Sequence, residues 1–398
     1  MNSKRVINTY KVVLFLSITF FILNIDMVNL TITTAALLML LVPAVFVENN
    51  LSKKNNLLMQ KTFEKFTNAQ IILLFLSFFI LTQSNLLNYE TIDWDVNSYL
   101  ASSAEIGRGN LPYEFQWESK SPLFYFVYYF VSKISAGSLL FFKILNDLLI
   151  LLICLFMYLT IKTIKKMKSK LYVFPLLYLV SLLSIPWAHA EYSEYYCLFF
   201  LVTSNYFIVK EEKNQFYFYF SSLFLSFSSL LNVGTSVFLL AYLFYFYMSK
   251  KSLKESIVFI TIFTVPHFLF LLLYFFKGLI NTYLASILFI PLSYSQTDFS
   301  FVKEMFVFLR SISEFNVFLY LIALATMLQI LFKFIHIIIN NDYTQNLHFL
   351  FFSSLLICSI LYFFVAAKGY NHHMIFFLYY FSFSIFFLDN SFINKLIY

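Results

Sequence analysis

An all-α, multi-pass membrane protein with about twelve transmembrane helices is the fold this sequence predicts, and three observations predict it. Hydrophobic residues make up 61% of the 398 positions and charged residues only 12%. That is too little polarity to clothe a water-soluble core of this size. The apolar residues fall in long blocks, and about 20 of them suffice to cross roughly 30 Å of hydrocarbon. The Lys and Arg residues, 27 in all, gather in the short polar connections between blocks.

The first block, Val12–Ile25, follows Lys4, Arg5 and Lys11 and has the outline of a secretion signal. A second block, Val28–Val47, follows at once without an obvious small-residue cleavage site, so the pair reads as a retained hairpin. The remaining predicted spans are Ala69–Leu86, Leu139–Ile161, Leu171–Ala188, Tyr195–Val209, Phe216–Leu231, Thr235–Met248, Ser256–Phe276, Asn316–Ile335, His348–Ala366 and Met374–Leu388. With the N-terminus inside, the cytoplasmic side collects Lys53, Lys54, Lys61 and Lys65, then Lys162, Lys165, Lys166, Lys168 and Lys170, and most of the other basic groups, as the positive-inside rule requires. Pro122–Ile134 is apolar but short for a span, and a crossing there would carry the loop Lys162–Lys170 outside. It reads instead as an interfacial or re-entrant helix on the outer surface, its Tyr and Phe rings at headgroup level. The chain thus divides into an N-terminal hairpin with its cytoplasmic loop, residues 1–68, and a transmembrane domain, 69–398, whose long outer loop covers 87–138.

The net charge of +7 is explained by this topology and gives no reason to expect a nucleic-acid partner. Cys154, Cys197 and Cys358 lie in or beside apolar blocks with no disulfide or metal-site spacing, and read as packing residues. Paired transporter-like halves do not stand out, and no Gly-rich phosphate loop is present.

The outer loop carries the chemistry. Asp93 and Asp95 flank Trp94 just ahead of a helix-like stretch, Val96–Ile106, which Asp95 is suited to cap. Gly107 and Gly109 stop that helix, Pro112 and Tyr113 start an extended stretch, and Lys120 with Ser121 leads into Pro122. A partly desolvated carboxylate at a membrane cavity is a suitable general base for a hydroxyl. A nearby ammonium suits a phosphate leaving group. Ordinary solvated loop charge is the competing reading for Asp95 and Lys120, and the better one for Asp93, Glu105, Glu114 and Glu118. Within the spans, Asp147 is costly unless paired, and Lys143 one turn earlier is its natural partner. His267 and His336 read as core or interface residues, and Tyr283–Tyr294 as a further surface helix rimmed by Asp298, Lys303, Glu304 and Arg310.

Asp95, Tyr99, Ala104, Gly109, Pro112, Tyr113, Lys120, Pro122, Leu123 and Tyr125, in that order, resemble the first outer loop of GT-C superfamily glycosyltransferases. The most similar are bacterial members related to protein O-mannosyltransferases and lipid A aminoarabinose transferases. Val96 stands where those have a frequent Glu, and Ser121 where a first Pro is common. The stretch WAHAEYSEYY resembles their second outer loop, with Glu194 the matching acid and Glu191 its alternative; a first-turn carboxylate in the helix field is the plainer reading. His189 reads as a surface group. KGYNHHM resembles a late basic-aromatic-His motif through Lys368, Tyr370, His372 and His373.

The resemblance implies inverting transfer of a hexosyl or pentosyl unit from a polyprenyl-phosphate donor to a hydroxyl of a lipid, glycan or protein acceptor. It also implies a bacterial inner-membrane location with an extracytoplasmic site among membrane lipids. Asp95, with Asp93 left open, and Glu194 would be catalytic. Lys120, Lys368, His372 and His373 would bind the donor phosphate, and Tyr99, Tyr113, Glu191 and Tyr370 would line the substrate cavity. No cofactor is implied, and no metal set is indicated. A divalent ion remains open, but adjacent histidines point about 100° apart on a helix, and only a loop could converge them. An O-antigen or capsule polymerase and a lipid-linked oligosaccharide flippase are the alternatives. The first would want more outer arginines than Arg108 and Arg310, the second a charged path through the spans.

Overall fold

The computed structural model describes residues 94–114, 120–164, 191–211, 214–290, 317–343, 346–365 and 371–387, with Pro175, Tyr178, Leu179 and Leu182 as single positions. The predicted spans Val12–Ile25, Val28–Val47 and Ala69–Leu86, most of Leu171–Ala188, and the boundary at 68 lie outside the described residues. Every regular element among the described residues is helical. In chain order these are α1 (Trp94–Ile106), α2 (Pro122–Ile134), α3 (Leu139–Ile164), α4 (Ser193–Val209), α5 (Gln215–Leu231), α6 (Leu239–Met248), α7 (Leu253–Phe276), α8 (Ile280–Leu284), α9 (Val317–Asn340), α10 (Leu347–Val365) and α11 (Met374–Ile385).

Among the described residues, three helices are long and apolar enough to cross a membrane: Leu139–Ile164, Leu253–Phe276 and Leu347–Phe364. The chain is therefore a helical membrane protein. Most of the apolar surface of α7 is uncovered by protein, with Phe268, Leu269, Phe275 and Phe276 all exposed, as befits a lipid-facing helix. Most of α10 is enclosed.

Local chemistry sets the helix boundaries. Ser121 precedes α2 with Pro122 at its first position, where the missing N–H costs nothing. Asn214 caps α5 by accepting from the Phe216 N–H at 2.9 Å. Ser252 and Glu255 close a reciprocal capping box on α7. Between α5 and α6 runs a 3-10 segment, Val233–Phe238, started by Asn232 accepting from the Gly234 N–H at 3.0 Å. A Cβ on Gly234 would come within 3.1 Å of the Tyr362 ring, so glycine lets α10 approach here.

Small polar side chains bind the helices together. Ser222 and Ser226 of α5 each donate at 2.6 Å to a carbonyl of α7, those of Phe259 and Phe263, and Ser229 meets His267 Nε2 at 2.6 Å. His267 thus sits at a helix interface, a role suited to hydroxyls and imidazoles among apolar helices. Tyr242 donates to Asn205 Oδ1 at 2.7 Å, and Asn205 donates on to Tyr380 at 2.8 Å, linking α6, α4 and α11. Cys154, Cys197 and Cys358 are buried and unbridged.

Several expectations are corrected. Asp95 lies within the helical residues of α1, Trp94–Ile106, and is not its cap. Pro112 and Tyr113 form a turn, closed by the Glu114 N–H donating to Leu111 O at 3.1 Å, and not an extended stretch. Tyr113 has φ of 72°, a left-handed conformation a tyrosine adopts only when its surroundings hold it there. The Tyr274 hydroxyl donates to Pro112 O at 3.0 Å, and the Tyr274 and Tyr113 rings pack at 5.9 Å. His336 is exposed beside Asn340 on α9 and is not a core residue. The helix expected over Tyr283–Tyr294 is α8, continued by a π-helical turn to Phe289; Pro291 to Tyr294, Asp298, Lys303, Glu304 and Arg310 lie outside the described residues.

Candidate active site

Three chain segments remote in sequence meet around one carboxylate. Glu194 occupies the first turn of α4 and is fully buried. Ser193 Oγ donates to its Oε2 at 3.1 Å. Lys120 Nζ donates to Oε1 at 3.3 Å, and His373 Nε2 stands 3.9 Å from the same oxygen.

Lys120 is held from two sides. The Tyr113 hydroxyl donates to its backbone carbonyl, which is what the strained turn at Tyr113 accomplishes. Its ammonium lies 5.9 Å from the Tyr99 ring centroid. Tyr99, on α1, packs edge-on against Phe124 at 4.9 Å and Tyr128 at 6.0 Å of α2. The Tyr128 hydroxyl donates to Glu191 O at 2.9 Å, joining α2 to the chain entering α4. Asp95 is exposed one helical turn before Tyr99, hence on the same side of α1.

The two histidines occupy a 3-10 turn, Asn371–His373, at the entry to α11. The His372 ring stacks on Tyr192 at 4.7 Å and 12°, and the buried His373 ring meets Tyr362 edge-on at 5.8 Å. Asn232 Nδ2 donates to the Tyr362 hydroxyl at 2.9 Å. The ligand-capable atoms of Glu194, His372 and His373 all lie within 4.8 Å of one another.

The charge state follows from these contacts. Burial alone would push the Glu194 carboxyl up, but Lys120, the histidines and a backbone N–H together hold it down at about 2. Burial works against the Lys120 ammonium, yet the adjoining carboxylate raises it above the ordinary lysine value. Burial drives the His373 imidazole down to about 3, so it is neutral at physiological pH. The site therefore holds one carboxylate, one ammonium and a neutral imidazole. Lys120 stands two residues before α2, Glu194 lies in the first turn of α4, and His372 and His373 precede α11. The cluster thus lies at the start of three helices, where the positive ends of the helix dipoles favour an anion.

Other sequence candidates lie elsewhere. The Glu191 charge acts on Asp147, which is buried on α3 together with Lys143 one turn earlier. These form a second polar patch, with Asn146 accepting from the Tyr196 hydroxyl. Glu105 binds Arg108 and accepts from Asn110 at 2.8 Å, and Glu114 accepts from the Leu111 N–H at 2.9 Å, so both brace the loop. Asp93, Glu118, His189, Lys368 and Tyr370 lie outside the described residues. Ser193, Tyr192, Asn232 and Tyr362 were not foreseen. Tyr192 and Ser193, beside the two acids of EYSE, carried some signal, but nothing local to Tyr362 or Asn232 points to this site.

Fold and site together define a helical membrane protein with an enclosed carboxylate-lysine-histidine cluster where helix N-termini meet. Compared with known proteins, the chain matches no family model, no curated protein and no solved structure.

Proposed function

We propose that the chain is an inverting, GT-C-like glycosyltransferase working at the extracytoplasmic border of a bacterial inner membrane. It would pass a hexosyl or pentosyl unit from a polyprenyl-phosphate donor to a hydroxyl of a lipid, glycan or protein acceptor. One observation carries this reading: Lys120, from the loop that resembles the GT-C first outer loop, meets Glu194 and His373 from the two other segments that share that resemblance. Sidedness rests on the basic residues, most of which fall on the opposite side when residues 87–138 face outward.

In this mechanism the acceptor oxygen attacks the anomeric carbon from the face opposite the phosphate. The carbon–oxygen bond to phosphate breaks and its electron pair leaves with the phosphate. The acceptor proton passes to the Asp95 carboxylate, with Asp93 as the alternative base. Lys120 exchanges its carboxylate partner for the departing phosphate, aided by the converging helix N-termini and by His372 and Lys368. By the resemblance, Tyr99, Tyr113 and Tyr370 would line the substrate site.

The test is transfer in proteoliposomes from radiolabelled polyprenyl-phosphate sugars. Asp95→Asn is expected to slow turnover by roughly 100-fold or more, the scale of a lost general base. Full turnover in both Asp95→Asn and Asp93→Asn sinks the mechanism. Cysteine labelling that places residues 87–138 in the cytosol sinks the assignment of the working face.

A further inference from the structure

We propose that Glu194, His372 and His373 form a divalent transition-metal site, with Zn2+ the ion their chemistry fits. Two imidazoles and one carboxylate are a borderline-soft donor set, suited to zinc and ill-suited to Mg2+ or Ca2+, which take oxygen ligands. The donor atoms already lie within 4.8 Å of one another. Zinc bonds of about 2.0–2.2 Å require ligand atoms roughly 3.5 Å apart, so binding draws the three donors closer by about 1 Å.

The surroundings are those of a prepared site. Tyr192 fixes the His372 ring plane by stacking at 4.7 Å, and Tyr362, itself bound by Asn232 at 2.9 Å, meets the edge of His373. Ser193 engages Glu194 Oε2 and leaves Oε1 directed toward His373. Supporting contacts of this kind hold ligands in orientation. Three protein ligands leave a fourth position for water or a substrate oxygen, the pattern of sites that act on substrate. A 3-10 turn points successive residues about 120° apart, yet the two histidine rings lie 4.5 Å from one another and both present a nitrogen to Glu194.

Lys120 makes the proposal specific. Its ammonium, 3.3 Å from Oε1, competes with a cation for the same carboxylate oxygen. Metal binding therefore expels the ammonium from Glu194 and leaves two positive groups side by side, a pair that calls for an anion such as phosphate. The site rests on these side chains alone and stands whether or not the chain transfers sugar.

The experiment is metal content and affinity of the full chain purified in detergent. The protein is stripped with EDTA, offered Zn2+, Mn2+ or Mg2+, and titrated against a chromophoric zinc chelator. Wild type is expected to retain one Zn2+ per chain, and to bind it more tightly when inorganic phosphate is added. Glu194→Gln and the double variant His372→Ala, His373→Ala are expected to lose roughly 100-fold or more in zinc affinity. Lys120→Met is expected to bind zinc several-fold tighter, which adventitious binding to surface histidines would not do. His372→Gln, at the least buried of the three ligands, serves if the other variants misfold, and is expected to weaken zinc as well. Substoichiometric zinc in wild type, a preference for Mg2+, or zinc affinity unchanged by both His372→Gln and Lys120→Met overturns the site.

Discussion

The two ends of α4 carry the same pair of residue types in opposite circumstances. Glu194 stands in its first turn, and Glu211 just past its last residue; both are buried, and each faces a lysine. At the first end the helix dipole favours negative charge, and at the second it opposes it. Lys120 faces Glu194 alone among the described carboxylates. Lys251, by contrast, is divided between Glu211 at 3.5 Å and Glu255 at 3.4 Å. Burial is thus overcome for Glu194, whose carboxyl is held at about 2, but dominates at Glu211, whose carboxyl is raised. A buried acid kept charged by its setting can hold a cation or exchange partners. One pushed toward neutrality beside a capping box reads as a clasp between α4 and α7.

The sharpest way to break this contrast is to remove the first charge. Glu194→Gln leaves Lys120 enclosed without its carboxylate, and is expected to cost about 3–5 kcal/mol, the scale for breaking one partner of a buried pair. Denaturant unfolding of zinc-free protein in mild detergent measures it. A loss below about 1 kcal/mol would mean the pair is no stronger than a surface salt bridge, and the contrast would fail.

The second effect belongs to the clasp. Ser252 accepts from the Glu255 N–H at 3.2 Å, and Glu255 Oε2 accepts from the Ser252 N–H at 2.8 Å. Ser252→Ala removes one half of this box, and the expected loss is about 1 kcal/mol. The same unfolding experiment should find no change in zinc affinity, because the clasp lies at the other end of α4 from Glu194. A shared loss would show that the two ends act as one unit.

How much of this was legible depends on the range of the interaction that decides it. Helix α2 was predicted over Pro122–Ile134 and observed there, because Ser121, Pro122 and the apolar run that follows are local signals. The Pro112–Tyr113 turn was misread, because Tyr274, far along the chain, holds it in a conformation tyrosine does not choose unaided. The 3-10 segment Val233–Phe238 was read as part of a span, since Asn232 and Gly234 matter through Tyr362 of α10. Glu194 was preferred to Glu191 for its place just before the apolar run, but that packing sends it to Lys120 and turns the Glu191 charge on Asp147 was not legible locally. The paired histidines carried no local sign of a third partner, and only packing brings them within 4.8 Å of Glu194.

The smallest expected effect is the most diagnostic, because its sign is opposite at the two ends. A carboxyl lowered on folding adds stability above its unfolded value near 4.5, and that stability is lost as pH falls from there toward 2; this is the case of Glu194. A carboxyl raised on folding does the reverse. Glu211 costs nothing below 4.5, where it is protonated in both states, and its cost grows as pH rises through its higher folded value. Glu211→Gln should therefore stabilise the protein at pH 7, by about 1 kcal/mol or less since Lys251 is partly exposed, and the gain should vanish near pH 4. Unfolding of wild type and variant across that range, in EDTA, separates the two cases. If Glu211→Gln destabilised at pH 7, Lys251 would outweigh burial, and both ends of α4 would then hold their carboxylates in the same way.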